Sequence, residues 1–259
     1  MKFVPAGTKG VLFCTWLTRV QDFEAFVAAT GHDATKRLIS LGTDGGTKEA
    51  GKGWIERGHT WKNPGFKQGP DHPVSGINWA DSLAFCKWLT EKERRAGSLA
   101  ENQEYRLPTD AEWSQAVGTA EYPWGNEWPP PPGVGNYAGE EARDKDWPDA
   151  STVIKGYNDG YPRTSPVGSF PANAYGLYDM GGNVWEWCTD WYHVGMNTLE
   201  SRRVVPSYDD DGGGRTYRVL RGGSWFNDIP ALMTCSSRDP GYPDVRYGNV
   251  GCRVVLATG

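Results

Sequence analysis

Apolar and polar positions follow a helical period in three segments of this chain, and each segment begins at a capping signal. The first helix is predicted to begin at Thr18, because Gln21 follows three residues later as in a capping box. It is predicted to end at Gly31, since glycine readily takes the left-handed conformation that follows a helix. Its apolar face carries Phe23, Phe26 and Val27.

Two further helices are predicted in the middle of the chain. The second begins at Asn78, has Asp81 in its first turn, and runs through a charged stretch to Gly97. The third begins at Thr109, and Glu112 completes a capping box with it. The residues predicted to face the core are Leu83, Ala84, Trp88 and Leu89 in the second helix and Trp113, Ala116 and Val117 in the third.

The C-terminal part of the chain has a different pattern. Two strand-like runs, residues 218–225 and 250–256, enclose a stretch without a helical or strand period. From Phe226 to Cys252 the chain contains no Lys, Glu, Gln or Trp, although it has 13 tryptophans in all. This gap indicates that ordinary surface selection did not set the composition of the segment. With 34 glycines and 18 prolines, the whole chain is expected to be rich in turns.

Composition limits the classes of protein to which the chain can belong. Its 259 residues, 38% of them hydrophobic, suit one large domain or two small ones with a real core. A net charge of −5 without a basic run argues against a nucleic-acid partner. No run approaches the ~20 apolar residues of a membrane span, and no signal-peptide pattern is visible, so the expected location is the cytoplasm. Five cysteines without a C-x-x-C spacing are expected to be free thiols.

Six motifs occur in a fixed order along the chain: RLPTDAEW (106–113), YPWGN (122–126), GNYA (135–138), SPVGSFPANAYGLYDMGGNVWEW (165–187), RVLRGGSW (218–225) and VGCRV (250–254). Together they resemble the formylglycine-generating enzyme/sulfatase-modifying factor family. The resemblance covers essentially the whole chain. It implies an α+β, C-type-lectin-like fold with short strands, few helices and much irregular structure, formed by residues 1–259 as a single domain.

The resemblance also bears on catalysis. Members that make formylglycine hold copper with two cysteines, and the corresponding positions here are Asn227 and Leu232, neither of which supplies the soft thiolate that Cu(I) prefers. The sequence therefore predicts no copper and no enzymatic activity. One alternative is a relocated pair formed by Cys235 and Cys252. The four histidines are widely spread, which argues against the iron-dependent branch of the family.

Calcium is the metal that the resemblance implies. Calcium takes hard oxygen ligands from carboxylates and from the carbonyls of irregular backbone. The resemblance places one structural site at Asp179, Gly182, Val184 and Glu186, and a second at Asn136, Tyr137, Asp159 and Tyr161. The alternative is that the Asp179 and Glu186 carboxylates bind backbone amides in turns.

The C-terminal end also resembles the variable proteins of diversity-generating retroelements, some of which use this lectin-like fold. In those systems, mutated template adenines turn Asn codons into many residue types but never into Lys, Glu, Gln, Trp or Met, and Met233 is the one residue after Trp225 that falls outside this set. The alternative is an ordinary divergent member of the family whose irregular loop lacks four residue types. The ending PDVRYGNVGCR (243–253) resembles their template-encoded ends, and residues 226–252 are the candidate variable region. The predicted ligand-binding positions are Phe226, Asn227, Asp228, Ile229, Asp239, Gly241, Tyr242, Val245, Tyr247 and Gly248.

These observations together predict a non-catalytic protein that binds an unknown protein or other macromolecular ligand on a diversified surface. Exposed aromatic and aliphatic side chains would supply contact area, and Asp228, Asp239 and Arg246 would supply polar contacts. The variable positions are expected to share one exposed face. Two alternatives stay open, a formylglycine-generating or related metal-dependent oxidase and a regulatory or structural module of a longer signalling protein.

Overall fold

A computed structural model of the chain describes residues 1–42, 53–144, 147, 151–193, 196 and 216–258. Within these residues the fold contains three α-helices and eleven short strands, with long irregular connections. The helices are α1 (Val20–Thr30), α2 (Trp79–Arg95) and α3 (Asp110–Val117). The predicted α+β class, with few helices and many turns, is confirmed.

The predicted starts of the second and third helices are confirmed, and each carries a capping box. The Asn78 side chain accepts a hydrogen bond from the Asp81 N–H at 2.8 Å, and Thr109 caps α3 in the same way with Glu112. The predicted start of the first helix is wrong by one residue, because Arg19 occupies the N-cap and Asp22, not Gln21, closes the box. The end of α1 at Gly31, which has a φ of +69°, agrees with the prediction.

Three small sheets form the β structure. Their strands are β1 (Phe3–Pro5), β2 (Val11–Cys14), β3 (Leu38–Gly42), β4 (Gly53–Glu56), β5 (Gln103–Arg106), β6 (Trp185–Trp191), β7 (Arg218–Arg221), β8 (Asp239–Gly241), β9 (Arg246–Tyr247), β10 (Val250–Gly251) and β11 (Val255–Thr258). The strand orders are β1-β2-β11-β5, β10-β6-β7-β8 and β4-β3-β9. The five C-terminal strands are therefore distributed over all three sheets.

Buried tryptophans occupy the core, as the sequence predicts. Trp185 and Trp187 alternate with polar residues along β6 and lie in the largest buried cluster, together with Phe23, Phe26 and Phe85. The indole N–H of Trp187 donates a hydrogen bond to the Ile77 carbonyl at 3.1 Å, which satisfies its polar atom inside the core. The helices α1 and α2 thus pack their apolar faces against the sheet that carries β6.

A buried ion pair joins the C-terminal strands to the rest of the core. Arg253 and Glu186 are both fully buried, and the Arg253 guanidinium lies 3.0 Å from Glu186 Oε1. The same guanidinium donates hydrogen bonds to the carbonyls of Cys14 and Tyr178 at 3.1 and 2.7 Å. The indole N–H of Trp113 donates to the other Glu186 oxygen at 3.1 Å. One arginine therefore connects β2, β6 and the turn before Asp179.

Candidate functional site

A cluster of aromatic rings supports the start of the candidate variable region. Trp225 is buried, and its ring centroid lies 5.9 Å from that of Trp54 and 5.6 Å from that of Phe66. The half-buried Phe226 ring contacts Trp54 edge to face at 5.2 Å and Trp147 at 4.9 Å. Edge-to-face contacts of this kind stabilise aromatic pairs beyond their buried area. The backbone after Trp225 is therefore fixed by packing on its inner side.

Asn227 holds the turn that follows this cluster. Its side-chain Oδ1 accepts hydrogen bonds from the Ser224 N–H at 2.8 Å and from the Ser224 hydroxyl at 2.9 Å. The Asn227 carbonyl accepts a bond from the Ala138 N–H at 3.1 Å. Asn227 is buried, so it contributes to the turn rather than to an exposed ligand surface. Its predicted ligand contact does not fit this position.

The residues from Phe226 to Leu232, called here the 226–232 turn, form the most exposed apolar part of the candidate variable region. Ile229 is 46% exposed, Ala231 is also exposed, and Phe226, Pro230 and Leu232 are half-buried. Residues 230–232 form a single turn of 3₁₀-helix. Isolated apolar side chains on a surface are common, whereas neighbouring exposed ones are typical of sites of interaction.

The other predicted ligand-binding positions do not share this surface. Asp239 and Gly241 belong to β8, which pairs with β7, and the Tyr242 hydroxyl accepts a hydrogen bond from the Tyr217 hydroxyl at 2.8 Å. Val245 and Gly248 are buried, and the half-buried Tyr247 packs against the largest core cluster. The expectation of one exposed face is wrong, because strand pairing with β3 and β7 divides the segment between two sheets.

Arg246 is likewise a structural residue. Its guanidinium makes two hydrogen bonds to the buried Asp81 carboxylate, at 2.7 and 2.8 Å, and so connects β9 to the first turn of α2. His32 Nε2 lies 2.8 Å from the same carboxylate. The expectation that Arg246 supplies a polar ligand contact is wrong, because the partner of this charge lies inside the protein.

The two glycines among the predicted positions differ in the space around them. A Cβ atom on Gly241 would lie 2.5 Å from two ring carbons of Trp187, whereas a Cβ on Gly248 would find its nearest neighbours at 3.6 Å. The Trp187 ring is fully buried and donates a hydrogen bond to the Ile77 carbonyl, so a shift of the ring would disturb this bond and the packing around it. Gly241 is therefore fixed by packing, whereas Gly248 has room for a methyl group.

We expect Gly241→Ala to lower the free energy of unfolding by about 1–3 kcal/mol, because overpacking displaces a buried indole. Gly248→Ala is the matched control, and we expect a change within about 0.5 kcal/mol. Urea unfolding followed by tryptophan fluorescence measures both values. Equal stability of the two variants would contradict the predicted difference in packing.

The cysteines are poorly placed for copper. All five are free and buried, and Cys235 and Cys252 belong to different core clusters. Burial raises the pKa of both thiols to about 11, so they remain protonated at neutral pH. The side chains at the family's cysteine positions, Asn227 and Leu232, offer no thiolate. The residues present therefore do not fit copper, and the described part of the chain contains no group of three or more His, Cys, Asp or Glu arranged for a metal ion.

The first predicted calcium set fits a cation poorly. Both Glu186 oxygens face the Arg253 guanidinium, so this carboxylate already has a positive partner. Asp179 accepts a hydrogen bond from the Gly168 N–H at 2.8 Å, as the turn-binding alternative expects. Burial raises the pKa of the Asp179 carboxyl, which this hydrogen bond and the charge of Arg253 oppose. The carbonyls of Gly182 and Val184 flank these residues, and calcium at this set stays a prediction.

The second predicted set brings several oxygens together. Asp159 accepts hydrogen bonds from the N–H groups of Tyr137 at 2.8 Å and Tyr161 at 2.9 Å. The Asn136 side-chain amide nitrogen donates hydrogen bonds to the Arg163 carbonyl at 2.9 Å and to Asp159 Oδ1 and the Tyr161 carbonyl at 3.3 Å. Asn136 is buried, and its Oδ1 has no hydrogen-bond partner among the described residues. Carboxylate, amide and carbonyl oxygens are the ligand types that calcium prefers, and calcium at this set stays a prediction.

The electrostatics of Asp159 agree with this geometry. Burial raises the pKa of the Asp159 carboxyl to about 7, against the hydrogen bonds from Tyr137 and Tyr161, and the negative charge of Glu141 adds to the rise. A carboxylate whose charge is this costly in the bare protein gains more than an exposed one from a bound cation. No residue of this set carries a positive side chain, in contrast to the Glu186–Arg253 pair.

The comparisons with known proteins decide the family. A family described as "Sulfatase-modifying factor enzyme 1-like domain" matches residues 15–258. The chain belongs to this family. It is 35% identical to the formylglycine-generating enzyme of Thermomonospora curvata over 231 residues, which are 80% of this chain and 68% of that protein. It is 33% identical to the formylglycine-generating enzyme of Streptomyces coelicolor, over 89% of this chain and 73% of that protein.

These relatives correct one prediction from the sequence. The prediction that the chain is not an enzyme, made from Asn227 and Leu232, is contradicted, because the relatives named above are enzymes. Similarity to these enzymes over most of the chain outweighs the substitutions at the two positions, 227 and 232. The copper-binding cysteines are nevertheless absent from those two positions, and this difference from the family pattern remains a fact of the sequence.

The fold is also shared with a variable protein. Treponema denticola variable protein 1 superposes with a TM-score of 0.57 at 19% identity, over 99% of this chain and 91% of that one. The predicted lectin-like architecture is therefore confirmed. No helix in the described ranges is long and apolar enough to cross a membrane. The absence of a nucleic-acid partner stays a prediction.

Sequence reasoning missed several residues that position the site. Trp54 and Phe66 lie more than 150 residues before Phe226, and the Arg163 guanidinium covers the Trp225 ring at 5.1 Å. No local period marks these residues, since each is a single aromatic or charged side chain in a turn or short strand.

Proposed function

We propose that the chain binds a polypeptide ligand on the 226–232 turn. The observation that carries the proposal is the exposure of Ile229 and Ala231 beside the half-buried Phe226, Pro230 and Leu232, in a turn that contains both positions that the family resemblance gives to the reactive cysteines. Ile229 is exposed at its centre, and Asp228, whose carboxylate accepts a hydrogen bond from Thr152, adds a polar group beside it.

Two further observations support a polypeptide as the ligand. The family description names a factor that modifies sulfatases, which are proteins. The aromatic cluster of Trp54, Trp147 and Trp225 holds the turn from the inside, so its outer side chains are presented on a preorganised backbone. A preorganised surface loses less conformational entropy on binding than a loose one.

We expect Ile229→Asp to weaken binding of a cysteine-containing sulfatase-type peptide by at least about tenfold, since an apolar contact at the centre of an interface is replaced by a charge. Stability should change by less than about 0.5 kcal/mol, because the residue is exposed. Fluorescence anisotropy of the labelled peptide measures the affinity. Tyr175→Ser is the matched control, since Tyr175 is also exposed but lies elsewhere. Equal affinity of Ile229→Asp and the wild type would refute the proposed surface.

Formation of formylglycine is the second candidate, and the names of the relatives favour it. The same cysteine-containing peptide also tests this second candidate. Mass spectrometry of the peptide after incubation detects conversion of its cysteine. The side chains at positions 227 and 232 supply none of the thiolate ligands that copper prefers.

We further propose that diversification is confined to the exposed or half-exposed positions of residues 226–252. The missing residue types support diversification, and the packing around Asn227 and Gly241 limits where it operates. The remaining positions are Phe226, Asp228, Ile229, Asp239, Tyr242 and Tyr247. Sequencing the DNA beside the gene tests this. A near-copy of the segment that differs at template adenines is expected, and the lack of one would remove this part of the proposal.

We also propose that Asn136, Tyr137, Asp159 and Tyr161 hold a structural calcium ion. The buried Asn136 Oδ1, which has no hydrogen-bond partner among the described residues, and the raised pKa of the Asp159 carboxyl support this. When bound, the ion would neutralise the half-buried Asp159 charge and so stabilise the folded chain. The Asn136 and Asp159 side chains would supply ligands, and the backbone at Tyr137 and Tyr161 would supply carbonyls.

We expect chelation to lower the melting temperature at pH 8, and calcium affinity to fall as the pH drops below about 7, because protons then compete for Asp159. The stability of the metal-free protein is expected to change with pH in the opposite direction. A carboxyl whose folded pKa is raised disfavours the folded state once it ionises, so stability without calcium should decline as the pH rises from about 4 through 7. Asp159→Asn should remove both effects. A melting temperature at pH 8 that is the same with and without calcium would contradict the proposal.

A further inference from the structure

A groove lies between the outer faces of α1 and α2. The two helices contact each other through Phe26 and Phe85, whose rings meet edge to face with their centroids 5.8 Å apart. Farther out, Ala29 and Ala84 line the two sides, and their methyl groups leave the space between the helices open. The resulting opening has a volume of about 760 Å³ and extends to the C-terminal end of α2.

Trp88 is the largest side chain that lines this groove. It is half-buried, and its ring centroid lies 5.6 Å from that of Phe26 and 5.7 Å from that of Phe85, so packing holds the indole in place. Trp88 also borders a second opening of about 260 Å³, which is lined in addition by Phe3 and Tyr105. A partly exposed tryptophan on a packed support is the type of side chain that contributes most to binding at protein interfaces.

The charges around the groove favour an acidic partner. Among the described residues that line it, Lys87, Lys92 and Arg95 carry a positive charge, and Glu91 carries a negative one. All four are exposed. The Lys92 ammonium lies 5.2 Å from the centroid of the Trp88 ring, so a positive charge stands beside the large apolar side chain. The whole chain has a net charge of −5, and the groove is therefore opposite in sign to the protein as a whole.

We propose that this groove, called here the α1–α2 groove, binds an amphipathic helix of another protein, with apolar side chains facing the groove and acidic side chains along its edges. The lining part of α2 runs from Ala84 to Ala96, a length of about 18 Å or three helical turns. Short side chains on the floor permit the close approach of a third helix. Bound helices of this kind present apolar residues at i, i+3, i+4 and i+7. None of the described residues that line the groove belongs to the 226–232 turn, so this surface is additional to the proposed peptide site.

Two other occupants fit the groove less well. A second copy of the chain, docked by the same face, would bring Lys87 and Arg95 of both copies together, and like charges repel. An anionic membrane would attract the same basic side chains. Its surface is flat, however, and would touch the rims of a concave groove without filling the space between Ala29 and Ala84.

The test uses the full chain and a fluorescein-labelled helical peptide of about 18 residues, the length of a typical recognition helix. The peptide has leucines at i, i+3, i+4 and i+7, glutamates beside them and alanines elsewhere. A second peptide has lysines in place of the glutamates. We expect fluorescence anisotropy to give the glutamate peptide a Kd at least about tenfold lower than that of the lysine peptide. Equal affinity for the two peptides would overturn the inference.

Charge reversal on α2 tests the role of the basic side chains. Lys87→Glu combined with Arg95→Glu should raise the Kd of the glutamate peptide by at least about tenfold. Arg94→Glu is the matched control on the same helix, because the Arg94 guanidinium donates hydrogen bonds to the carbonyls of Glu101 and Gln103 and does not line the groove. We expect its Kd to stay within about twofold of the wild type. An equal loss in the two proteins would show that affinity follows net charge alone, which would refute the site.

Ala29→Phe tests the shape of the groove without a change of charge. Its ring would occupy the space between the helices, so the Kd of the glutamate peptide should rise by at least about tenfold. Ala28→Phe, at an exposed neighbouring position that does not line the groove, should leave the Kd within about twofold. A flat membrane would instead gain apolar contact from either phenylalanine. Sedimentation with vesicles of phosphatidylcholine and phosphatidylserine measures that case. Vesicle binding that rises in Ala29→Phe, with unchanged peptide affinity, would refute the groove and assign this face to a membrane.

Discussion

Replacing Arg253 with leucine is expected to lower the free energy of unfolding by about 3–5 kcal/mol, because it leaves the Glu186 carboxylate buried without a partner. Both side chains are fully buried, and the guanidinium also donates hydrogen bonds to the Cys14 and Tyr178 carbonyls. Differential scanning calorimetry should therefore show a melting temperature lower by about 6–20 °C for a chain of this size.

Two controls separate this effect from the loss of any salt bridge. Arg37→Leu breaks an ion pair with Asp244 in which both side chains are mostly exposed, and we expect a change below about 1 kcal/mol. Arg253→Leu combined with Glu186→Leu removes both charges and should be more stable than Arg253→Leu alone. If Arg253→Leu had the same melting temperature as the wild type, Glu186 would have another compensating charge in solution. The first calcium set would then regain support.

Trp225→Ala is expected to cost about 3–5 kcal/mol, because it removes the central ring of the aromatic cluster and leaves a cavity. The ring is 1% exposed and lies within 6.5 Å, centroid to centroid, of Trp54, Phe66 and Trp147. Chemical denaturation monitored by circular dichroism measures the loss. Peptide binding should fall as well, since Phe226 and the turn after it rest on this ring.

Trp128→Ala is the matched control for Trp225→Ala. Its indole is 39% exposed and belongs to a separate group of rings with Tyr122 and Trp124. We expect a loss below about 1 kcal/mol and unchanged peptide affinity. A similar loss in both variants would show that the cluster around Trp225 has no special weight in the core.

Helix starts could be predicted where the capping interaction is local. Asn78 with Asp81 and Thr109 with Glu112 satisfy backbone donors within three residues, so the sequence alone carries the signal. The predicted start of the first helix at Thr18 is wrong because of contacts with residues far away in the sequence. Its N–H donates to the Cys252 carbonyl and its own carbonyl accepts from the Val74 N–H, so both backbone groups of Thr18 are bonded outside the helix.

The candidate site was only partly predictable for the same reason. The motifs identified the family and the segment that follows Trp225, because those residues are contiguous. The burial of Gly241, Val245 and Arg246 depends instead on partners in β3, β7 and α2, which no local period reveals. The genetic code constrains each position separately. The burial of a residue depends instead on which other segments of the chain pack against it.

The placement of the last strand has a consequence for synthesis of the chain on the ribosome. β11, the last strand of the described residues, lies between β2 and β5 in its sheet, and its neighbours in that sheet are made more than 145 residues earlier. Until Val255–Thr258 emerge, β2 and β5 have no partner between them and Glu186 has no Arg253. The nascent chain must therefore keep its early apolar segments from associating wrongly until translation of the domain is complete.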